Sequence, residues 1–307
     1  MHKAKDPSHE RQVILGQPSK RPYGARVLVH LKTAGALGGA EEVSVPLPSG
    51  AFLTLGPTHK APWEGGKKYV VTLEGFATAA AAEGAGRRLV QALLWMAVST
   101  DAPLKLEYLT YEPASVFERQ RSSGDTCVSY AEVSVAPTTV FAELHDAYAE
   151  LPEPDEKLLL SMEIFCAARL ESSQRATFLA LVSALEPLAQ AESLGPDVAE
   201  FLAQCSDQLR ANANIAVNLK ASLEGRLLQL RQESIGQSLR RLARKVLPTQ
   251  PEASRLIDDA YALRSQLVHN GVPKDLDTDL ERESQAVSRT IRALYASLLN
   301  RSLARGG

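Results

Sequence analysis

Short stretches of β-branched and alternating apolar residues dominate the chain up to about residue 136. They predict strands at residues 26–32, 68–73, 104–111 and 126–135. Segments rich in glycine and proline at 35–39, 46–50 and 65–66 separate these stretches, as turns do between strands. One helix interrupts the set, because residues 79–99 place Leu89, Leu93 and Met96 at helical spacing. The pattern predicts an antiparallel sheet with one or two helices.

After about residue 137 the apolar positions take on the period of helices. One amphipathic stripe consists of Phe178, Leu181, Val182, Leu185 and Leu188. Residues 196–230 carry further apolar positions at helical spacing and predict either one long helix or a broken pair.

Helix-ending signals divide the rest of the chain. Ser234 is a suitable N-cap for a helix that runs to Val246 and is ended by Pro248. Residues 253–269 predict the next helix, closed by Asn270 and Gly271, and residues 277–299 predict the last. Five or six helices are expected in this half.

The change of pattern gives the domain organisation and the fold class. A chain of 307 residues has room for two domains of about 150 residues each. We expect a polar, flexible leader at 1–22 and an α+β domain at 23–150, followed by an all-α helical bundle at 151–307. The sequence contains no repeat of 20–50 residues, so a solenoid is not expected.

Composition narrows the class of protein. The formal net charge of −2 gives no overall basic field for nucleic acid. The three cysteines are Cys127, Cys166 and Cys205; their wide spacing fits a reducing cytosol better than a disulfide scaffold. The longest nearly apolar run, 89–98, is half the length of about 20 residues that a membrane helix needs. The N-terminus also lacks the apolar stretch of a signal peptide. We expect a soluble, cytoplasmic protein without membrane contact.

Common cofactor and metal motifs are absent from the sequence. It contains neither a phosphate-binding loop of the G-x-x-x-x-G-K-[ST] type nor an H-E-x-x-H motif. The six histidines are far apart, and His30, His59 and His145 show no ligand spacing with carboxylates. No cofactor and no metal site are therefore predicted, and a metal-dependent enzyme centred on the N-terminal half is the weakest of the hypotheses.

Arg264 breaks the apolar pattern of the helix predicted at 253–269. The apolar arc around it consists of Leu256, Ile257, Ala260, Tyr261, Leu263, Leu267 and Val268. An arginine that faces a core requires a carboxylate, a phosphate or several carbonyls, because its guanidinium keeps its proton. Glu186 is the candidate partner, since it interrupts the apolar stripe of its own helix. Such a pair either fixes the packing of two helices or forms part of a site.

His269 lies at the end of the same predicted helix, on its polar face. The partial negative charge of a helix C-terminus favours the protonated imidazole, so His269 could act as an acid or base near neutral pH. Alternatively, it caps the last carbonyls of the helix.

The stretch from Tyr261 to Gly271, Y-A-L-R-S-Q-L-V-H-N-G, resembles the R-x4-H signature of HEPN domains. The Apea-like branch is the most similar, because F-L-A-L-V-S-A-L-E-P-L at 178–188 also resembles a helix of that branch. The resemblance covers about residues 153–304. It implies a helical domain that dimerises and often has metal-independent ribonuclease activity.

The resemblance also implies roles for individual residues. His269 would be the general acid or base in the attack of a ribose 2′-OH on the adjacent phosphate, and Arg264 would bind that phosphate. Tyr261, Glu186 and Asn270 would support them. Ser265 follows the arginine where many active members have an amide, acid or imidazole; it can still donate a hydrogen bond.

Geometry limits how these residues act together. Positions five apart on a helix point about 140° apart. Either the helix unwinds near Asn270, or a two-fold dimer assembles a composite site.

A basic segment supplies the candidate contacts to RNA. Residues 226–245 contain six positive side chains and one negative one. Those on the helix predicted to end at Val246 are Arg240, Arg241, Arg244 and Lys245. They predict phosphate contacts, although such a run can also be a solvated helix face.

Two functions remain open from the sequence. The first is a dimeric endoribonuclease or RNA-processing factor, with a role in prokaryotic defence or stress response suggested by the resemblance. Its N-terminal domain would sense a trigger or recruit an unknown protein partner. The alternative is a non-catalytic HEPN scaffold that binds RNA, a nucleotide or a protein.

Overall fold

The computed structural model describes residues 21–31, 43–47, 49–57, 67–106, 114–118, 137–171 and 173–304. The predicted strand at 126–135 and nearly all of the predicted leader at 1–22 lie outside these ranges.

Six strands of the N-terminal half form one antiparallel sheet. They are β1 (Tyr23–Leu31), β2 (Val43–Pro46), β3 (Phe52–Pro57), β4 (Lys67–Phe76), β5 (Leu104–Leu106) and β6 (Ser115–Glu118). The order is β2-β3-β4-β1-β5, and β6 pairs with the other end of β1. The hairpin of β2 and β3 was not predicted. The turn between them includes Ser49 and Gly50, within the segment at 46–50 where the sequence predicts a turn.

One helix, α1 (Ala79–Thr100), packs on a face of this sheet. Thr78 caps it by accepting a hydrogen bond from the amide of Ala81. The inward residues of the strands are fully buried; they include Ala25, Val27, Val29, Leu53, Val71 and Leu73. Gly86 lies at a close approach of helix and sheet, because a Cβ there would be 3.1 Å from that of Ala25 and would overlap that of Ala114.

The rest of the described chain is helical. The helices are α2 (Pro137–Glu150), α3 (Glu156–Ala168), α4 (Gln174–Leu185), α5 (Pro196–Ala211), α6 (Val217–Gln229), α7 (Ile235–Val246), α8 (Glu252–Asn270) and α9 (Leu280–Leu298). A single 3₁₀ turn, Glu186–Leu188, extends α4. Seven of the described helices follow residue 150, where five or six were predicted. The additional one is α3, whose apolar residues do not form a narrow stripe. The structure confirms that an α+β half is followed by a helical half.

The predicted ends of α7 and α8 are confirmed to within one residue, whereas α9 begins at Leu280 and not at 277. Ser234 and Gln237 form a reciprocal capping box at the start of α7. Gly271 ends α8 in the left-handed region, with a φ of 76°, which glycine adopts without a steric penalty. The region 196–230 is a pair of helices.

The two halves share one continuous core. The second half of α1 is buried on all sides, since α2, α3 and α9 cover the surface that the sheet leaves free. Arg292 of α9 donates to the carbonyl oxygens of Val98 and Ser99 at 2.7 and 2.8 Å, and thereby satisfies the end of α1. None of the described helices is long and apolar enough to cross a membrane.

We expect Gly86→Ala to lower the free energy of unfolding by about 1–3 kcal/mol, because the added methyl group forces α1 away from the sheet. Gly84→Ala is the matched control on the same helix. Gly84 has nothing within 4 Å of a Cβ, so alanine there should raise stability by about 0.5–1 kcal/mol. Urea denaturation measures both changes. Equal effects of the two substitutions would contradict the close packing at Gly86.

Candidate functional site

Arg264 and Glu186 form the ion pair that the sequence predicts. Arg264 lies on α8, and its Nη2 is 3.0 Å from Oε1 of Glu186, which follows the end of α4. The Arg264 side chain is 33% exposed and that of Glu186 is 34% exposed. The pair therefore orients the guanidinium while water still reaches it, and it is not sealed in the core.

Tyr261 lies one turn before Arg264 and approaches the same pair. Its hydroxyl is buried and has no hydrogen-bond partner among the described residues. Burial raises the pKa of Tyr261; the negative charge of Glu186 raises it further, and Arg264 opposes the shift. The phenol thus stays neutral at physiological pH and cannot serve as a base.

His269 and Asn270 are exposed in the last turn of α8. The helix is regular through both residues and ends at Gly271, so it does not unwind between Arg264 and His269. Arg264 and His269 therefore diverge by about 140° on one regular helix. Ser265 is exposed next to Arg264. Within a single chain the backbone does not bring the arginine and the histidine together.

Val268 was predicted to face the core, and this was wrong, because it is exposed. The ion pair of Arg240 with Asp258 aligns the start of α7 with about residue 263 of α8. The last turn of α8 extends past α7 and leaves both Val268 and His269 in solvent.

Two of the four basic residues predicted to contact RNA are held in ion pairs. Arg240 is 3.1 Å from Asp258. Arg241 is 2.6 Å from Glu192 and 3.0 Å from Glu233, and its hydrogen bonds to Glu233 hold the pKa of that carboxyl below its usual value. The sequence did not indicate these partners, since Glu192 lies on a distant loop.

Arg244 and Lys245 differ from their neighbours on α7. Both are exposed, and neither forms a hydrogen bond or an ion pair with the described part of the chain. The positive charge available to a ligand on this helix is concentrated at these two side chains.

The described residues contain no group of three or more histidine, cysteine or acidic side chains that could hold a metal ion. His145 lies beside Asp146 on α2, with Nδ1 3.3 Å from Oδ1. The side chains of His30 and His59 lie outside the described residues.

Comparisons of the chain with protein-family models, with curated proteins and with solved structures find no match.

We expect Tyr261→Phe to raise the free energy of unfolding by about 1 kcal/mol, because it removes a buried hydroxyl that has no hydrogen-bond partner in the described part of the chain. Tyr295→Phe is the control. The Tyr295 hydroxyl is buried and lies 2.7 Å from Oγ of Ser161, so its loss should lower stability by about 1 kcal/mol. Thermal unfolding of the two variants measures the difference. A loss of stability in Tyr261→Phe equal to that in Tyr295→Phe would contradict the environment described for Tyr261.

Proposed function

We propose that the helical half is a HEPN-like RNA-binding module and that two copies of it form a metal-independent endoribonuclease. The resemblance of residues 261–271 to the R-x4-H signature supports this function. A cytoplasmic location and a role in prokaryotic defence or stress response are parts of the same proposal.

The half-exposed pair of Arg264 and Glu186 is the observation that carries the proposal. A guanidinium has five N–H donors, and the bond to Glu186 leaves others free. A phosphate could bind to these donors while Glu186 keeps the arginine in place. Partial exposure keeps these donors accessible to a ligand and lowers the desolvation cost of the pair.

His269 supplies the proton transfer in this mechanism. It would take the proton from a ribose 2′-OH as that oxygen attacks the adjacent phosphorus, or give a proton to the departing 5′ oxygen. The bond that breaks is the one between phosphorus and the 5′ oxygen. The products are one fragment that ends in a 2′,3′-cyclic phosphate and one that begins with a free 5′-OH. Arg264 would stabilise the charge that builds up on the phosphate.

A second copy is required because Arg264 and His269 diverge on α8. In a two-fold dimer, Arg264 of one protomer could face His269 of the partner subunit, and the symmetry would create two equal sites. The exposure of the last turn of α8 leaves it accessible to such a partner.

The alternative function is a non-catalytic scaffold that binds RNA, a nucleotide or a protein. One specific observation favours it: Arg240 and Arg241 are both held by carboxylates, which leaves less charge for RNA. For either function, the N-terminal sheet domain would sense a trigger or bind a partner protein.

Subunit mixing tests whether the site is composite. We expect Arg264→Gln and His269→Ala each to abolish cleavage of a mixed-sequence RNA in EDTA. When equal amounts of the two variants are mixed and allowed to exchange subunits, half of the dimers are heterodimers, each with one intact site. About one quarter of wild-type activity should therefore return. Ala262→Ser, an exposed change on the same helix, is the control.

No recovery of activity in a mixture that forms heterodimers would contradict the composite site. Normal cleavage by His269→Ala would reject His269 as the acid or base.

Arg244 and Lys245 provide a separate test of RNA binding. We expect the double variant Arg244→Ala/Lys245→Ala to weaken binding to all RNA sequences alike. It should also reduce the slope of log affinity against log salt by about 2, since two phosphate contacts are lost. Arg175→Ala/Arg289→Ala removes the same charge from exposed positions on α4 and α9 and serves as the control. Filter binding over a range of salt concentrations gives both slopes, and equal slopes would exclude the basic end of α7 from the RNA interface.

A further inference from the structure

The hairpin formed by α5 and α6 has an unusually exposed apolar surface. None of the residues of α6 is buried, and only Leu202 and Ser206 of α5 are. Its exposed apolar side chains have 51% to 83% of their surface in solvent; they are Phe201, Val217, Leu219, Leu228 and Leu230. Isolated helices of 16 and 13 residues are marginally stable in water, so such a hairpin gains from a further packing partner.

The hairpin packs little on the rest of the described chain, because the main neighbour of each of its helices is the other helix. Arg210 binds Glu224 at 2.7 Å and its carbonyl accepts from Lys220 at 2.7 Å, which holds the two helices together. At the base, the amides of Leu194 and Glu233 donate to carbonyls across a short bridge.

The apolar residues of each helix follow a spacing of three and four. On α5 they are Val198, Leu202, Cys205 and Leu209. On α6 and at its C-cap they are Leu219, Leu223, Leu227 and Leu230, here called the α6 stripe. This spacing is typical of helices that pack in bundles. A two-helix hairpin covers each stripe from one side only, whereas a four-helix arrangement encloses all four stripes.

The charge of the hairpin favours a second copy of this chain as the partner. Residues 196–229 contain four acidic and three basic side chains, so the surface attracts neither RNA nor a strongly charged protein. A nearly neutral surface with an apolar stripe is compatible with itself, as a two-fold contact requires.

The size of the hairpin is also that of a dimer interface. A stable interface of standard size takes about 20–30 residues from each partner, or roughly 800 Å² a side. The hairpin and its base supply that number of residues, and α5 and α6 are about 24 and 20 Å long.

We propose that two copies of the chain associate through their α5–α6 hairpins, which form a four-helix bundle around a two-fold axis. The α6 stripes of the two copies face the inside of that bundle. The proposal deepens the proposed function and rests on it for the composite site. The hairpin base precedes α7, which packs on α8, so it is joined directly to the helix pair that carries His269.

Light scattering of the full chain tests the interface. The wild type should have twice the mass of the 33.2 kDa chain. The variant Leu219→Glu/Leu230→Glu should raise the dimer dissociation constant at least about 100-fold, because two leucines that become buried are replaced by charges. Both leucines are exposed in the single chain, so its own core is unchanged, which circular dichroism verifies.

Val217→Glu/Leu228→Glu is the matched control. Val217 is more exposed than the first two and Leu228 is about as exposed, but both lie about 120–140° around α6 from Leu223, the centre of the stripe. The control should remain a dimer. A monomeric wild type, a dimer that persists in the stripe variant, or equal dissociation of both variants would overturn the proposal.

RNA cleavage measured on the same samples separates the two proposals. A wild-type dimer that dissociates only in the stripe variant but does not cleave RNA supports the hairpin interface and rejects the nuclease. Full cleavage by a monomeric stripe variant would show that a single chain cleaves RNA, and would overturn both the composite site and the hairpin as the contact that completes it.

Discussion

The complete burial of the second half of α1 is the constraint on which the rest of the structure depends. Every residue from Ala92 to Thr100 is buried, so the helix needs a covering layer on all sides. The sheet provides one layer and α2, α3 and α9 provide the others. At its carboxyl end Arg292 donates to the carbonyls of Val98 and Ser99, which lie in the last turn of the helix. Sheet and bundle are thereby joined in one core.

The packing of this core determines the geometry of the candidate site. Helix α9 packs on α1, α4 and α8, and therefore fixes the helices that carry Glu186 and Arg264 relative to each other. Because both side chains lie at the margin of the packed region, their ion pair is ordered and yet accessible. The last turn of α8 lies beyond the neighbouring helix α7, and this explains why Val268 and His269 are exposed on a helix whose middle is buried.

The sequence predicted best those features that depend on local chemistry. Caps and stops such as Ser234 and Gly271 act within a few residues, so the helix ends could be predicted from them. The partner of Arg264 was predictable because Glu186 breaks an apolar stripe. The ion pair of Arg241 with Glu192 and the continuity of the core were not, since they arise from contacts between segments far apart in the chain. The exposure of Val268 likewise depends on where a neighbouring helix begins.

In the proposed function, α8 carries half of a ribonuclease site that a second copy completes. Analysis of the ends of RNA fragments produced by the purified protein in EDTA tests this most directly. The account predicts cleavage that leaves a 2′,3′-cyclic phosphate and a 5′-OH, as attack by the ribose 2′-OH requires. Fragments that carry a 5′-phosphate and a 3′-OH, or intact RNA after incubation with a folded dimer, would contradict it.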